Sequence, residues 1–229
     1  MSGPGGGLRA RADLDEHLTI VRREVSDIAG LVDLAIQRSV DSLARLDPEL
    51  AETVIAEDAS INSIRFAIED DVIEIMATQQ PIARDLRFCV SALNVSSELE
   101  RIGDYAAGIA RVTLLHGDQR LLKPLIDIPR MTAVVRDMLR SAVAAFLEGD
   151  ARRAEAIAAR DDEVDTLYDQ VYRELLTYVM ADRAHMERAT WLLWVAHNLE
   201  RCGDRVQNIC ERTIYEATGV MKEFTNPDA

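Results

Sequence analysis

The sequence predicts an all-α protein built as two tandem three-helix bundles, six long antiparallel helices in all, and three observations lead there. The phrase Glu100-Arg101-Ile102-Gly103-Asp104 returns as Glu200-Arg201-Cys202-Gly203-Asp204 after an offset of 100 residues, with matching flanks at Glu98-Leu99 and Asn198-Leu199, so the chain is a duplication. Apolar residues recur every three or four positions over long stretches, which is the spacing of a buried helix face. No segment alternates apolar and polar with period two, so no sheet is expected.

Each element follows from that spacing. Met1 to Gly7 is Gly-rich with no apolar core, and residues 1–12 read as a flexible arm rather than a secretory signal. The first bundle spans 13–117. Its first helix carries Leu14, Leu18, Val21, Val25, Ile28 and Val32 in alternating steps of four and three, continuing to Val40 and Leu43. Asp47-Pro48 ends it, because proline disfavours helical geometry at the preceding residue and suits the first turn of the next helix. The second helix carries Val54, Ile61, Ile68, Val72 and Ile75, and Gln80-Pro81 breaks it. A third runs from Ile82 through the first repeated phrase to about Leu115, where His116-Gly117-Asp118 marks a stop.

Residues 118–127, with Pro124, read as a linker. The second bundle, 128–219, repeats the plan: a helix to Leu147, a turn at Gly149-Asp150, a single helix to about Met180, a turn near Ala181-Asp182, and a helix from Met186 to Thr218, leaving 220–229 as a tail. Short connections between long amphipathic helices imply antiparallel neighbours.

Composition excludes several functions. A net charge of −14 argues against nucleic acid, whose phosphates need a cationic face. No apolar run reaches the roughly 18 residues of a membrane span, so any membrane role is peripheral. Cys89, Cys202 and Cys210 are too few and too irregular for a disulfide or zinc framework and read as reduced thiols in apolar helix contexts of a cytoplasmic protein. No phosphate-binding Gly-Lys-Ser/Thr loop and no nucleophile with a base is present, so the chain does not read as an enzyme.

The chemistry lies where acids occupy the apolar seams. Residues four apart stack on one helix face, so Glu100 points with Asp104 and Glu200 with Asp204. On the second helix of each half, aligning Ile61 with Val164 pairs Asp58 with Asp161 and Asn62 with Asp165. If these helices are neighbours, four oxygen-bearing side chains converge in each half. Carboxylates held together must protonate, face water or take a cation, and an oxygen-only set suits Mg, Ca, Mn or Fe. The plain alternative is a solvated face with Arg101 and Arg201 neutralising local acids. Gly103 and Gly203 are costly inside helices unless something must approach closely.

Further residues have two readings each. His197, three before Glu200, suits either a carboxylate-bridged metal centre or an ordinary hydrogen-bonded histidine. Trp191 and Trp194 either cover a seam or form a partner patch. Asp85, between Arg84 and Arg87, is either a first-turn acid favoured by the helix dipole or a partner contact.

The run Gln80-Pro81-Ile82-Ala83-Arg84-Asp85-Leu86-Arg87, the phrase Glu98 to Asp104, and Asn198 through Glu211 together resemble the PhoU family of phosphate-signalling regulators. The resemblance implies paired three-helix bundles assembled as a homodimer, with metal clusters, multinuclear iron first and Zn, Mn, Mg or Ca as alternatives. By that resemblance one cluster uses Asp58, Asn62, Glu100 and Asp104, the other Asp161, Asp165, Glu200 and Asp204. It also implies a cytoplasmic negative regulator of the phosphate-starvation response, bridging a sensor histidine kinase and the ATPase subunit of a phosphate ABC transporter. The competing function is a carboxylate-bridged metal enzyme or metal-storage bundle, but such sites carry Glu-x-x-His pairs that neither repeat supplies.

Overall fold

The computed structural model describes residues 4–117 and 119–224, with side chains from residue 11 on. Among these residues the chain is helical throughout: α1 (Pro4–Arg45), α2 (Pro48–Thr78), α3 (Arg84–His116), α4 (Asp127–Glu148), α5 (Ala151–Ala158), α6 (Asp161–Ala181) and α7 (Met186–Thr218), with a 3₁₀ turn at Arg183–His185. Helices α1, α2 and α3 pack on one another as the first bundle, and α4 to α7 as the second. The seam residues from Leu14 to Leu43 and from Val54 to Ile75 are all buried. Each fully buried Ile, Leu or Val contributes roughly 1.5–3 kcal/mol.

The turns are built alike in the two halves. Asp47, in extended geometry before Pro48, accepts a hydrogen bond from the Leu50 amide at 3.0 Å, and Asp150 accepts one from the Arg153 amide at 3.0 Å. Just before each cap the backbone turns left-handed, at Leu46 (φ 51°) and Gly149 (φ 68°). Only glycine enters that region without strain, so the second half has the easier version.

The third helix, read from Ile82, opens at Arg84, and the second bundle, read from 128, opens at Asp127; two larger differences lie elsewhere. The first helix opens at Pro4, inside the stretch 1–12 read as a flexible arm; proline suits a first turn, and about two turns on, Arg11 pairs with Asp15 at 2.9 Å and with Asp85 of α3. Residues 1–3 and, of the tail 220–229, residues 225–229 lie outside the described residues. The second bundle's middle helix, read as continuous, is parted at Ala159-Arg160 into α5 and α6. The Ala158 carbonyl at the break accepts Gln207 Nε2 of α7 at 3.2 Å, and Asp161, Asp162 and Glu163 fill the first turn of α6, where the helix dipole favours negative charge.

The two bundles join through α3 against α7 and through α1 against α4. Across α1 and α4, Arg136 grips both oxygens of Asp33, at 2.8 and 2.7 Å. Helices α3 and α7 run antiparallel, since Arg84 meets Glu216, Glu98 meets Asn208, and His116 meets Trp191. The contact of Glu98 with Asn208 has its repeat-related counterpart in that of Asn198 with Gly108, so the duplication is expressed as a pseudo-two-fold axis across this helix pair. The axis passes by positions 103 and 203.

Candidate metal centres on the acidic seams

In the first half, α2 and α3 are neighbours, as the acid pairing requires. A Cβ on Gly103 would stand 2.9 Å from Ile61 Cδ1 and 3.5 Å from Asp58 Oδ1, so the glycine lets α2 approach with its acid in front. Asn62 Nδ2 reaches back to the Asp58 carbonyl at 3.2 Å and to its Oδ2 at 3.4 Å. Asp58 Oδ1 is buried and receives no hydrogen bond. Burial first, then the Asp104 charge, raises the Asp58 pKa, and the same two causes raise that of Glu100.

The second half repeats the arrangement at greater depth. A Cβ on Gly203 would run into Asp161 Oδ1 and meet Val164 Cγ1 at 3.6 Å. Thus Gly203 faces Asp161 and Val164 as Gly103 faces Asp58 and Ile61, the pairing that the sequence alignment gives. Asp161 is only 3% exposed, and its Oδ1 receives no hydrogen bond. Burial, then the charges of Asp165, Asp204 and Glu200, push its pKa to about 7. Glu200 is also pushed to about 7, by burial and then by Asp204. Its Oε2 lies 3.3 Å from His197 Nδ1 yet makes no well-formed hydrogen bond; the contact is an ion-pair approach without hydrogen-bond alignment.

The eight oxygen-bearing residues therefore form two groups of four, one on each side of the α3–α7 pair. The donor chemistry fits a hard cation: the groups are oxygen-only, and buried carboxylate oxygens lack donors. As they stand, however, no three His, Cys, Asp or Glu side chains among the described residues are close enough to hold a metal ion. In the second group Arg201 Nη1 donates to Asp204 Oδ2 at 2.8 Å and His197 Nδ1 lies 3.3 Å from Glu200 Oε2.

The other singled-out residues take definite places. Trp191 is buried edge-on to His116, while Trp194, three residues on, is 51% exposed. Asp85 lies in the first turn of α3 and pairs with Arg11 of α1. The three cysteines are free and buried, and burial raises each thiol pKa, Cys89 to about 11 and Cys210 to about 12. One polar cluster escaped the sequence reading: Glu98 accepts from Arg205 at 3.3 Å and Asn208 at 3.2 Å, and the Tyr105 hydroxyl sits against Arg201 and Arg205. Its signal was the Glu98 and Arg205 flanks of the repeated phrases, but the pairing needs the antiparallel crossing to be known.

Fold and site define a class: a duplicated helical-bundle protein that carries one partly buried group of acids in each half. The PhoU domain profile matches residues 25–113 and 128–213. The "Phosphate-specific transport system accessory protein PhoU homolog" of Caulobacter vibrioides is 37% identical over 205 residues, 89% of each chain, and that of Aquifex aeolicus 36% identical over 206 residues, 90% of this chain and 93% of the relative. The crystal structure of the phosphate transport system regulatory protein PhoU from Streptococcus pneumoniae superposes with a TM-score of 0.85 at 31% identity, covering 92% of this chain and all of that one. PhoU from Pseudomonas aeruginosa gives 0.85 at 32% identity, covering 90% and 99%. This chain belongs to the PhoU family. Its curated relatives are named as accessory proteins, not as enzymes. None of its described helices is long and apolar enough to cross a membrane.

Proposed function

We infer that this chain is an accessory regulator of phosphate-specific transport that holds the phosphate-starvation response off when phosphate is plentiful. The observation that carries this reading is the 37% identity to a phosphate-transport accessory protein across 89% of both chains. The finer reading is a cytoplasmic homodimer that works by contact, bridging the transporter's ATPase subunit and a sensor histidine kinase. It draws support from the acidic surface and from the lack of a described membrane-crossing helix. Deleting the gene should raise alkaline-phosphatase-type output in high phosphate, and the wild-type gene supplied in trans should restore repression. Normal repression in the deletion strain would overturn the reading.

Metal binding belongs to the same proposal. Asp58, Asn62, Glu100 and Asp104 would hold one centre, and Asp161, Asp165, Glu200 and Asp204 the other, with iron first and Zn, Mn, Mg or Ca as alternatives. A bound cation would supply positive charge to carboxylates whose pKa values burial, and after it mutual repulsion, raises. Asp161 joins the start of α6 to the middle of α7, and Glu200 with Asp204 present the facing oxygens. Arg201 and His197, which now engage Asp204 and Glu200, compete with the cation for them. Replacing Glu200 and Asp204 together by Ala should lower bound metal, measured by elemental analysis, while leaving the far-ultraviolet helix signal intact. Unchanged metal stoichiometry would remove the second centre.

A further inference from the structure

Beyond the close approach of Gly108 to Asn198, helices α3 and α7 leave a groove of about 640 Å³ between them. Leu114, Leu115 and Trp194 line it, and Leu115 is 50% and Trp194 51% exposed. Small-molecule sites are typically of about 300–1,000 Å³, mostly apolar, with a few placed polar groups. Here Arg111 and Asn198 are those groups, since His197 on the same wall already stands 3.3 Å from Glu200. Among the described residues Arg111 makes no hydrogen bond or ion pair and the Asn198 amide makes no hydrogen bond, and no acid lines the groove. The charge of Arg111 reaches Asp58 without an ion-pair contact.

In the other half the chain fills the equivalent place with its own groups. One hundred residues away, Asn198 is matched by Glu98, which accepts from Arg205 at 3.3 Å and from Asn208 at 3.2 Å. The residues matched to Arg205 and Asn208 are Tyr105 and Gly108, and Asn198 lies so close over Gly108 that a Cβ there would stand 3.4 Å from its Nδ2. Glu211 and Arg212, matched to Arg111 and Val112, are covered by the tail after α7: the Phe224 amide donates to Glu211 Oε1 at 2.8 Å, and Arg212 Nη1 lies 3.8 Å from Met221 Sδ. Phe224 packs against the core there. At Arg111 and Val112 no such contact is made among the described residues.

Arginine in place of glutamate inverts what the open groove asks of an occupant. In the covered half an acid accepts from a backbone amide while apolar tail residues pack beside it; in the open half a guanidinium offers donors beside an apolar lining. We propose that the α3–α7 groove binds a small amphiphilic carboxylate, with its hydrocarbon chain along Leu114, Leu115 and Trp194 and its carboxylate on Arg111, the Asn198 amide giving a second donor. Taking the chain out of water supplies the gain, and the guanidinium–carboxylate pair, charge-assisted and suited to two parallel hydrogen bonds, fixes the head. A ligand with one negative charge suits a protein of net charge −14, because acids farther off than a Debye length of about 8 Å are screened, whereas an acidic helix would bring many charges against them. Nothing in this site depends on the regulatory reading, which has its own test in the deletion strain.

The test uses the full-length protein with dodecanoate, dodecanol and dodecyltrimethylammonium, which share one chain and differ in the charge of the head, each below its micelle concentration. Binding is read by calorimetry and by tryptophan emission, with Trp194→Phe separating the signal of Trp194 from that of Trp191. Dodecanoate should bind once per chain and at least tenfold more tightly than the other two. Arg111→Ala should erase that preference and leave dodecanol binding as it was, Arg111→Lys should keep part of it, and Leu115→Ser should weaken all three, each with circular dichroism unchanged.

Equal affinity for the three heads, or a folded Arg111→Ala protein that still prefers dodecanoate, would overturn the proposal. So would the absence of binding, or uptake of several dodecanoate molecules per chain without saturation, which marks detergent-like association. Sedimentation supplies the last arm. If dodecanoate leaves Trp194 emission unchanged while dissociation of a self-associated form alters it, the occupant is a second copy and the proposal fails.

Discussion

Gly203 has no side chain, and that lets the Asp161 carboxylate lie against the middle of α7. A methyl group there would occupy the position of Asp161 Oδ1, whereas at Gly103 it would meet the mobile end of Ile61 at 2.9 Å. The two alanine replacements should therefore diverge. Gly103→Ala gains up to about 1 kcal/mol of helix propensity, which offsets the shift of Ile61, so its melting temperature should stay within a few degrees of wild type. Gly203→Ala must drive Asp161 out of a nearly closed site; it should lower both the melting temperature and the metal content of the second centre. Equal effects at the two positions would contradict the difference in depth described for the two sites.

Among elements, the caps show how much rests on single residues. Asp47→Ala and Asp150→Ala each remove a carboxylate from a helix N-terminus and should cost about 1 kcal/mol, a loss of roughly 2–4 °C by thermal melting. Gly149→Ala should cost more than either cap, because its φ of 68° disfavours a side chain and the new methyl would press on Arg84 and lie 3.0 Å from Glu216 Oε2. These elements also show what a sequence can and cannot reveal. The seams of α1 and α2, the breaks at Pro48 and Pro81, and the span of α7 follow from local periodicity and proline chemistry, and the structure has them. The break between α5 and α6 has no glycine or proline to announce it; the Ala158 carbonyl there accepts a hydrogen bond from Gln207, about fifty residues away, a contact that no local pattern reveals. Trp191 joins the core and meets the His116 ring, whereas Trp194, three residues on, is exposed.

For the whole molecule, the acidic seams set a pH dependence. Asp161 and Glu200 have folded-state pKa values of about 7, above the ordinary carboxylate range they return to on unfolding. Between about pH 4 and pH 7 the folded state thus holds protons that the unfolded state has lost, so stability falls as pH rises through this window and levels off above it. The metal-free protein should melt at a higher temperature at pH 6 than at pH 8. Asp161→Asn, which keeps the shape and removes the charge, should flatten that slope and stabilise the metal-free protein at pH 8 by on the order of 2 kcal/mol. A slope unchanged in Asp161→Asn would assign the pH dependence to other groups. The placing of Asp58 and Asp161 against the glycines of the repeated phrases was legible because the duplication printed the pattern twice, but their unequal depth was not, since depth depends on where α6 begins relative to α7.

The antiparallel crossing of α3 and α7 has a consequence for how this chain holds together. Each half offers the other a surface related by the same rotation that would relate two subunits, so the covalent tie through residues 118–126 mainly raises the local concentration of one half around the other. Leu121, Leu122 and Leu125 pack against the core, and Lys123 pairs with Glu174, so the tie is anchored on the second half. Residues 1–117 and 119–229, produced as separate polypeptides and mixed, should find each other and restore the melting transition at concentrations high enough to replace the lost tether. Fragments that each melt as before and never associate would show that the halves are merely strung together.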